Sequence, residues 1–549
     1  MKWRKAIRGW LGLALCVVGF VLARTTPYRE ITVMVNAGGC RLVTDVIDQG
    51  NDDARGFVVL FHGLAANKKI MAYLARGFAN QDLRVFVPDL SGHGRTAGPF
   101  SFDRAESCAA ALVQELSARR AIDPQRTMLA GHSMGGAIAI RVAAHGGVAG
   151  VIAISPAPMR AAHGVPADML PYNNAAAVPP HTLAISAAFE PLGIRESTRD
   201  LISGDAANTG KYLSLPHATH VSVLFDTRVV HASQQWTAET LHFPAELSAP
   251  SYTPLIGSLA GLAGILLLAG PFVREMISTQ QAPATEGKSS GRIQPGIGEK
   301  TAGLRGLRPA LQAGGEGSVV TRGDAQGASG PFGAVRVLLA FLEVAAVSFL
   351  AVGTLRFWNP LSFLRLYNGS YFASFLLILG IVLLLIHHKS VRASVRAHFP
   401  PKTVILLFAL VAGWLLHLLV TGWLDVTFTE AWLTWGRWAR VPGVFVAALA
   451  YLLAEELLLG APDAGRNLAR FLLAFALRLI AFLVLVFGIF VLHSGAILLI
   501  LLAAYLALFF VFQRLGMDIV RQQTGSPIAA AIFGAILLAG FCLVIFPVT

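Results

Sequence analysis

From residue 253 onward the chain is a series of apolar runs, and in lipid only structures that satisfy every backbone group internally survive. The runs fall at about 253 to 272, 337 to 355, 371 to 387, 403 to 422, 443 to 460, 471 to 492, 495 to 513 and 527 to 547. Each is close to the roughly 20 residues that carry a helix across a hydrocarbon core, so helices are expected at all eight. A ninth run, Trp10 to Ala23, follows Lys2, Arg4, Lys5 and Arg8 and closes in Val21-Leu22-Ala23, a pattern that suits a signal peptide or an uncleaved signal anchor over residues 1–24. With 55% hydrophobic and only 14% charged residues, the chain reads as an integral membrane protein. Its expected parts are a helix at 253–272, a cytoplasmic linker at 273–334 and an all-α polytopic bundle of about seven helices at 335–549. Within the linker, residues 278 to 333 are rich in Gly, Ser, Ala and Gln and carry no sustained apolar period, which predicts a flexible tether.

Basic residues set the phase of the crossings. The stretch after the second run carries Arg274, Lys288, Arg292, Lys300, Arg305, Arg308 and Arg322, and residues 388 to 402 carry Lys389, Arg392, Arg396 and Lys402; both read as cytoplasmic loops. The intervening loops are poorer in Lys and Arg, and 423 to 441 holds Trp423, Trp432, Trp435 and Trp438, the composition of an interfacial aromatic belt. Residues 25–247, entered after one crossing, then lie on the extracytoplasmic side of a cell membrane. The formal charge of +13 follows from this topology, and no motif supports nucleic acid as a partner.

Residues 25–247 are of another kind. Val58 to Phe61, a buried-strand run, ends in His62-Gly63-Leu64, and Met128 to Ala130 ends in Gly131-His132-Ser133-Met134-Gly135, which passes straight into the small-residue stretch Gly136 to Ala144. Strand, Gly-x-Ser-x-Gly and helix in succession form a nucleophile elbow. A side chain at Gly131 or Gly135 would strike the neighbouring strand or helix, while Ser133 at the apex has its hydroxyl exposed by strain. The helix directs its free N–H groups and positive dipole end at the same point, so the N–H of Met134, with that of Leu64, can form an oxyanion hole.

On these residues, and on Val87-Pro88-Asp89-Leu90-Ser91-Gly92-His93-Gly94-Arg95-Thr96, the region Ile31 to Leu241 resembles the α/β-hydrolases of the esterase, lipase and serine aminopeptidase type. Thr96 stands where that family usually has Ser. The resemblance implies an α/β fold, a mostly parallel doubly wound sheet, with Phe102 to Ala118 as a helix and Val151 to Ile154 and Thr182 to Ile185 as strands. It also implies an acid and then a histidine after the serine. His220 holds the family's histidine place before Val221 to Phe225, with His217 as the alternative. Glu190 holds the place of the acid, where Asp is usual; Asp200 and Asp205 read as solvated charges. His62 and His93 are expected to make local hydrogen bonds, and His163, His181 and His231 to be surface or packing residues.

No Cys or His cluster has metal spacing and no Gly-rich loop has the lysine of a phosphate cradle, so neither metal nor cofactor is expected. Cys16 and Cys542 sit in apolar runs; Cys40 and Cys108 could pair in an exported domain, but their spacing decides nothing. Among ionisable residues inside apolar runs are Glu455, Glu456, Arg478, His417 and His493. Ala454-Glu455-Glu456 is similar to the Glu-Glu-x-x-x-Arg motif of the intramembrane endopeptidases related to the prenyl-protein processing enzymes, as is Arg521 to Ser526 to a later part of that family, although Gly460 stands in place of the Arg. The alternative, preferred on charge grounds, pairs these glutamates with Arg466, Arg470 or Arg478.

The expected activity is hydrolysis of an ester, of a small molecule or a lipid, through Ser133, His220 and Glu190. Fewer than thirty residues separate the strands ending at Ile154 and starting at Thr182, too few for a large helical cap, and Met159, Met169 and Leu170 could form a small greasy lid. Two other readings stay open: a peptidase using the same triad, and a transporter or scaffold in which the hydrolase is a regulatory appendage.

Overall fold

A computed structural model describes residues 2–51, 53–159, 172, 178–203, 210–278, 334–398, 403–459, 467–496 and 498–549. Most of the linker, and with it His163, Met169, Leu170, Asp205, Lys402 and Arg466, lies outside the described residues.

The chain opens with helix α1 (Lys2–Arg24) and enters an eight-stranded sheet: β1 (Arg29–Ala37), β2 (Cys40–Asp48), β3 (Gly56–Phe61), β4 (Leu83–Pro88), β5 (Thr127–His132), β6 (Gly150–Ile154), β7 (Thr182–Phe189) and β8 (Lys211–Thr219). The order is β1-β2-β4-β3-β5-β6-β7-β8, antiparallel through β1, β2 and β4 and parallel from β4 to β8. Strands β5 and β6 are buried along their whole length, as continuous apolar runs covered on both faces must be. Helices α3 (Phe102–Ala118) and α4 (Met134–Ala143) pack on one face, α2 (Ala72–Ala79) and α6 (Thr227–Leu241) on the other, while α5 (Leu192–Ser203) follows β7. Helix α3 has the limits its amphipathic pattern predicts, with Ser101 capping it through a hydrogen bond from the Arg104 N–H. Cys40, the first residue of β2, and Cys108, on α3, form a disulfide, a pairing their spacing left undecided.

Among the described residues the rest is mainly helical: α7 (Thr253–Ser278), α8 (Ala334–Leu355), α9 (Gly369–Ile386), α10 (His388–His398), α11 (Thr403–Thr427), α12 (Trp435–Trp438), α13 (Val441–Leu459), α14 (Asn467–Val491), α15 (Leu498–Leu501), α16 (Ala503–Thr524) and α17 (Pro527–Ile545). Among the described residues nine helices, α1 included, are long and apolar enough to cross a membrane. Helix α1 lies against α7 backbone to backbone. A Cβ on Gly19 would stand 2.6 Å from the Gly257 carbonyl oxygen, and one on Gly257 would stand 2.4 Å from the Ala23 nitrogen. Small residues on facing helices permit such an approach, which makes α1 part of the packed molecule.

Three expectations are corrected. The run predicted at 495 to 513 is displaced: the long helix is α16, which continues through Gln513, Arg514, Asp518 and Arg521 because partners inside the bundle satisfy those side chains. Residues 388 to 402, expected as a loop, begin with the short basic helix α10. The four tryptophans do not act alike. Trp435 and Trp432 are exposed, but Trp423 fills the space above Gly261 and donates to the Ser258 carbonyl, and Trp438 packs on Trp414.

The sheet domain sits on one end of the helical bundle. Tyr367 packs against Phe100 and Phe102, the Asn67 amide donates to Thr429 Oγ1 at 2.8 Å, and the Phe100 N–H donates to the Val548 carbonyl at 2.6 Å. The contacting segments lie before α9, after α11 and after α17, at the end of the helices that faces the sheet domain.

Candidate active site

The residues expected to carry the chemistry gather at the carboxyl ends of β3, β5, β7 and β8. Ser133 sits between β5 and α4 with φ 53 and ψ −118, a conformation that non-glycine residues rarely adopt. The surrounding glycines explain how the strand can turn into a helix there. A Cβ on Gly131 would lie 2.2 Å from the Gly135 carbonyl oxygen, and one on Gly135 would lie 2.3 Å from the Phe61 carbonyl oxygen. The Ser133 N–H donates to Ile154 O at 2.9 Å, which fastens the elbow to the neighbouring strand.

His220 follows β8, and its Nε2 lies 3.1 Å from Ser133 Oγ, within reach to accept the hydroxyl proton. Its Nδ1 lies 3.2 Å from Glu190 Oε2, and the other Glu190 oxygen accepts the Ala187 N–H at 3.1 Å. The Glu190 side chain is wholly buried and that of His220 is 12% exposed, so one edge of the imidazole faces out toward a reactant. A β-bulge between Ala187 and Phe189 shifts the register with β8 at the end of β7, just before Glu190. The two alternatives are elsewhere: exposed His217 lies beside the Phe189 ring, and exposed Asp200 pairs with Arg199 on α5.

Leu64 lies in the loop after β3, and Met134 is the first residue of α4, whose N–H has no preceding turn to bond. The loop around Leu64 is braced by the two histidines expected to act locally. His62 accepts the Leu90 N–H at 2.9 Å and donates to Gly63 O at 2.8 Å, and His93 accepts the Ala65 N–H at 3.3 Å. Burial holds the His62 imidazole down to about 4 and that of His93 well below its ordinary range, so both are neutral.

Two features were not legible beforehand. His132, the variable residue of the elbow, donates through Nε2 to the His220 carbonyl at 2.7 Å; burial, then the neighbouring His220, pushes its own imidazole down to about 3. Lys68, wholly buried, meets Asp89 at 3.3 Å, Asp45 at 3.9 Å and Glu430, from the loop after α11. Burial alone would lower its ammonium, but Asp89, Glu430 and Asp45 together carry it above the usual lysine range. No short motif signals a contact spanning 362 residues.

In the bundle, Glu455 binds Arg478 at 2.6 Å and Arg514 at 2.9 Å, and Glu456 binds Arg470 at 2.7 Å and Arg514 at 2.6 Å. Arg470 and Arg478 on α14 are two of the partners preferred on charge grounds, Arg514 on α16 is not among them, and the likeness to intramembrane endopeptidases gains no support. Among the described residues no group of three His, Cys, Asp or Glu is placed to hold a metal ion.

A family model described as an alpha/beta hydrolase family matches residues 58–286. No curated protein matches the sequence. Among solved structures, an esterase from Pyrobaculum calidifontis is 16% identical over 43% of this chain and 92% of its own, with a TM-score of 0.34. Est1E from Butyrivibrio proteoclasticus, solved with ferulic acid bound, is 14% identical over 38% and 99%, TM-score 0.33. XC6422 from Xanthomonas campestris, described as an α/β serine hydrolase without lid, is 18% identical over 40% and 97%, TM-score 0.32. Sheet order, elbow and family model agree that the region from β1 to α6 carries the α/β-hydrolase fold.

Proposed function

We propose that this chain is a membrane-bound serine hydrolase that cleaves esters of amphiphilic molecules, lipids among them, at the extracytoplasmic face of a cell membrane. The observation that carries the reading is the unbroken line from Ser133 Oγ through both nitrogens of His220 to the buried Glu190 carboxylate. In the first step Ser133 Oγ bonds to the ester carbonyl carbon as its proton passes to His220 Nε2. The carbonyl oxygen takes the negative charge and is held by the N–H groups of Leu64 and Met134. Collapse breaks the bond to the alcohol oxygen, which leaves with the proton from His220. Water, deprotonated by the same nitrogen, then attacks the acyl carbon; the bond to Ser133 Oγ breaks, Oγ takes the proton back from His220, and the acid is released. Glu190 stabilises the imidazolium and holds the Nδ1–H tautomer. Each step is complete with these groups and calls on no cofactor.

Surroundings of the serine favour an amphiphile. Leu64 and Ala65 pack against the apolar core of the bundle, which brings the oxyanion loop down to the ends of the helices. Phe189 and Leu192, flanking Glu190, are 67% and 58% exposed and offer an apolar rim. Two features favour the extracytoplasmic side: the basic flank before Trp10, and the Cys40–Cys108 disulfide, a bond that persists in oxidising compartments. The test is to label membranes with a fluorophosphonate probe and then assay esters of graded chain length. Labelling should vanish in Ser133→Ala, and turnover should rise with acyl length. Labelling that survives the substitution would remove Ser133 from the mechanism.

A further inference from the structure

The loop that presents Leu64 is not held by the hydrolase alone. Ala65, next to Leu64, has φ 61, and the Ala66 N–H turns back onto Gly63 O at 3.2 Å. A left-handed non-glycine residue is strained and persists only where its surroundings over-determine it. Here the over-determination comes from Asp89. Its carboxylate accepts the Lys68 N–H at 2.9 Å, the Lys68 ammonium at 3.3 Å and the Arg95 N–H at 3.0 Å, knotting the loop after β3 to the loop after β4. Glu430 closes the knot from the bundle, bonding the Lys68 ammonium and standing 3.4 Å from Arg95 Nε. Lys68, Asp89 and Glu430 have side chains at most 2% exposed, so solvent cannot substitute for a missing member.

We propose that Glu430 is a positioning residue for the oxyanion loop: acting through Lys68 and Asp89, it fixes residues 63–68 so that the Leu64 N–H meets the developing oxyanion on the Ser133 adduct. The membrane bundle is then a working wall of the catalytic site as well as its anchor. The inference rests on the proposed roles of Ser133 and Leu64. It deepens them by making the rate of the chemical step depend on a residue outside the hydrolase fold.

The experiment uses the full chain in detergent or lipid nanodiscs, with active sites counted by fluorophosphonate titration so that misfolded protein drops out of the rate. Glu430→Gln keeps the size of the side chain and removes its charge. Its kcat per titrated site should fall tenfold or more with KM changed less than about threefold, because an oxyanion contact matures only in the transition state. Binding of a trifluoromethyl ketone analogue should weaken in step with kcat, which a role in folding alone would not produce. Asp425→Asn is the control: Asp425 Oδ2 binds Arg95 at 2.8 Å across the same junction, while its Oδ1, which the amide oxygen of Asn can replace, accepts the Ala431 and Trp432 N–H groups beside Glu430. Its kcat per site should stay near wild type. An unchanged kcat per site in Glu430→Gln, or an equal loss in both variants, overturns the proposal. Loss of labelling in Ser133→Ala alongside an unchanged Glu430→Gln would show that the nucleophile stands and only this inference fails.

Discussion

His132 Nε2 donates to the carbonyl oxygen of His220 across 2.7 Å, joining the elbow residue beside the nucleophile to the backbone of its base. The bond requires the proton on Nε2, and burial guarantees a neutral ring to carry it. Because Ser133 and His132 are adjacent, any shift of the elbow moves both the nucleophile and the anchor of the imidazole together, preserving their 3.1 Å separation.

His132→Ala should therefore lower kcat/KM by roughly one to two orders of magnitude while Ser133 still reacts slowly with the probe, since a base displaced by about 1 Å still functions but poorly. The second-order rate of probe inactivation, compared with wild type, is the measurement. Equal rates would show that His220 is held without this bond.

The acid is tested by a pair of charge-neutralising substitutions. Glu190→Gln keeps the shape of the side chain but releases the tautomer of His220, so ester turnover should drop by about 10³-fold or more. Asp200→Asn, on exposed α5, should leave turnover within twofold. The reverse pattern in steady-state assays would move the role away from Glu190.

How much of this could be read beforehand depended on the range of the determining interactions. The elbow was legible because the contact that demands its first glycine is local, Gly131 against Gly135, and the distant strand end that crowds Gly135, at Phe61, carries its own His62-Gly63 signal. The limits of α3 followed from a cap and an apolar stripe, both local. Helix α16 was misplaced because hydropathy charges full cost to Arg514 and Asp518, whereas the fold buries Arg514 between Glu455 and Glu456 of another helix. Similarly, Glu430 looks like an ordinary loop carboxylate until Lys68 is seen beside it, and nothing in the spacing of Cys40 and Cys108 shows that β2 and α3 bring them to 5.7 Å between Cα atoms.

Buried histidines set the response to acid. The imidazoles of His62, His93 and His132 are depressed by burial, to about 4 for His62 and about 3 for His132, against an ordinary value near 6.5. Between those values the unfolded chain binds protons that the folded domain refuses, so stability is intact above about pH 6.5 and falls as the pH drops below it. Each group contributes about 1.4 kcal/mol per pH unit in that window. Glu430 opposes them. Burial, then Asp89, pushes its carboxyl up to about 7, so the folded state takes up a proton there as pH falls. Three imidazoles outweigh one carboxyl, and the thermal inactivation midpoint should fall between pH 7 and 5.5, more steeply in Glu430→Gln. A midpoint that rises on acidification would contradict the neutral state of the three rings.

Sidedness has a chemical test in the cysteines. Cys40 and Cys108 close a loop with a separation of 68 residues, for which a chain-entropy estimate gives about 4 kcal/mol of stabilisation, and the bond is maintained only in an oxidising compartment. The other two cysteines, Cys16 on α1 and Cys542 on α17, are free. If the hydrolase is extracytoplasmic, protein denatured from intact cells and treated with a maleimide should take up two labels, rising to four after reduction. Cys40→Ser should then lower thermal stability and leave three thiols open to labelling in the same assay. A reporter joined after Leu247 gives an independent measure: alkaline phosphatase should be active there and silent when joined near Gly314 or Arg396. Four labels without reduction, together with a silent phosphatase after Leu247, would place Ser133 in the cytoplasm and replace an outer-leaflet ester with a cytoplasmic one as the substrate.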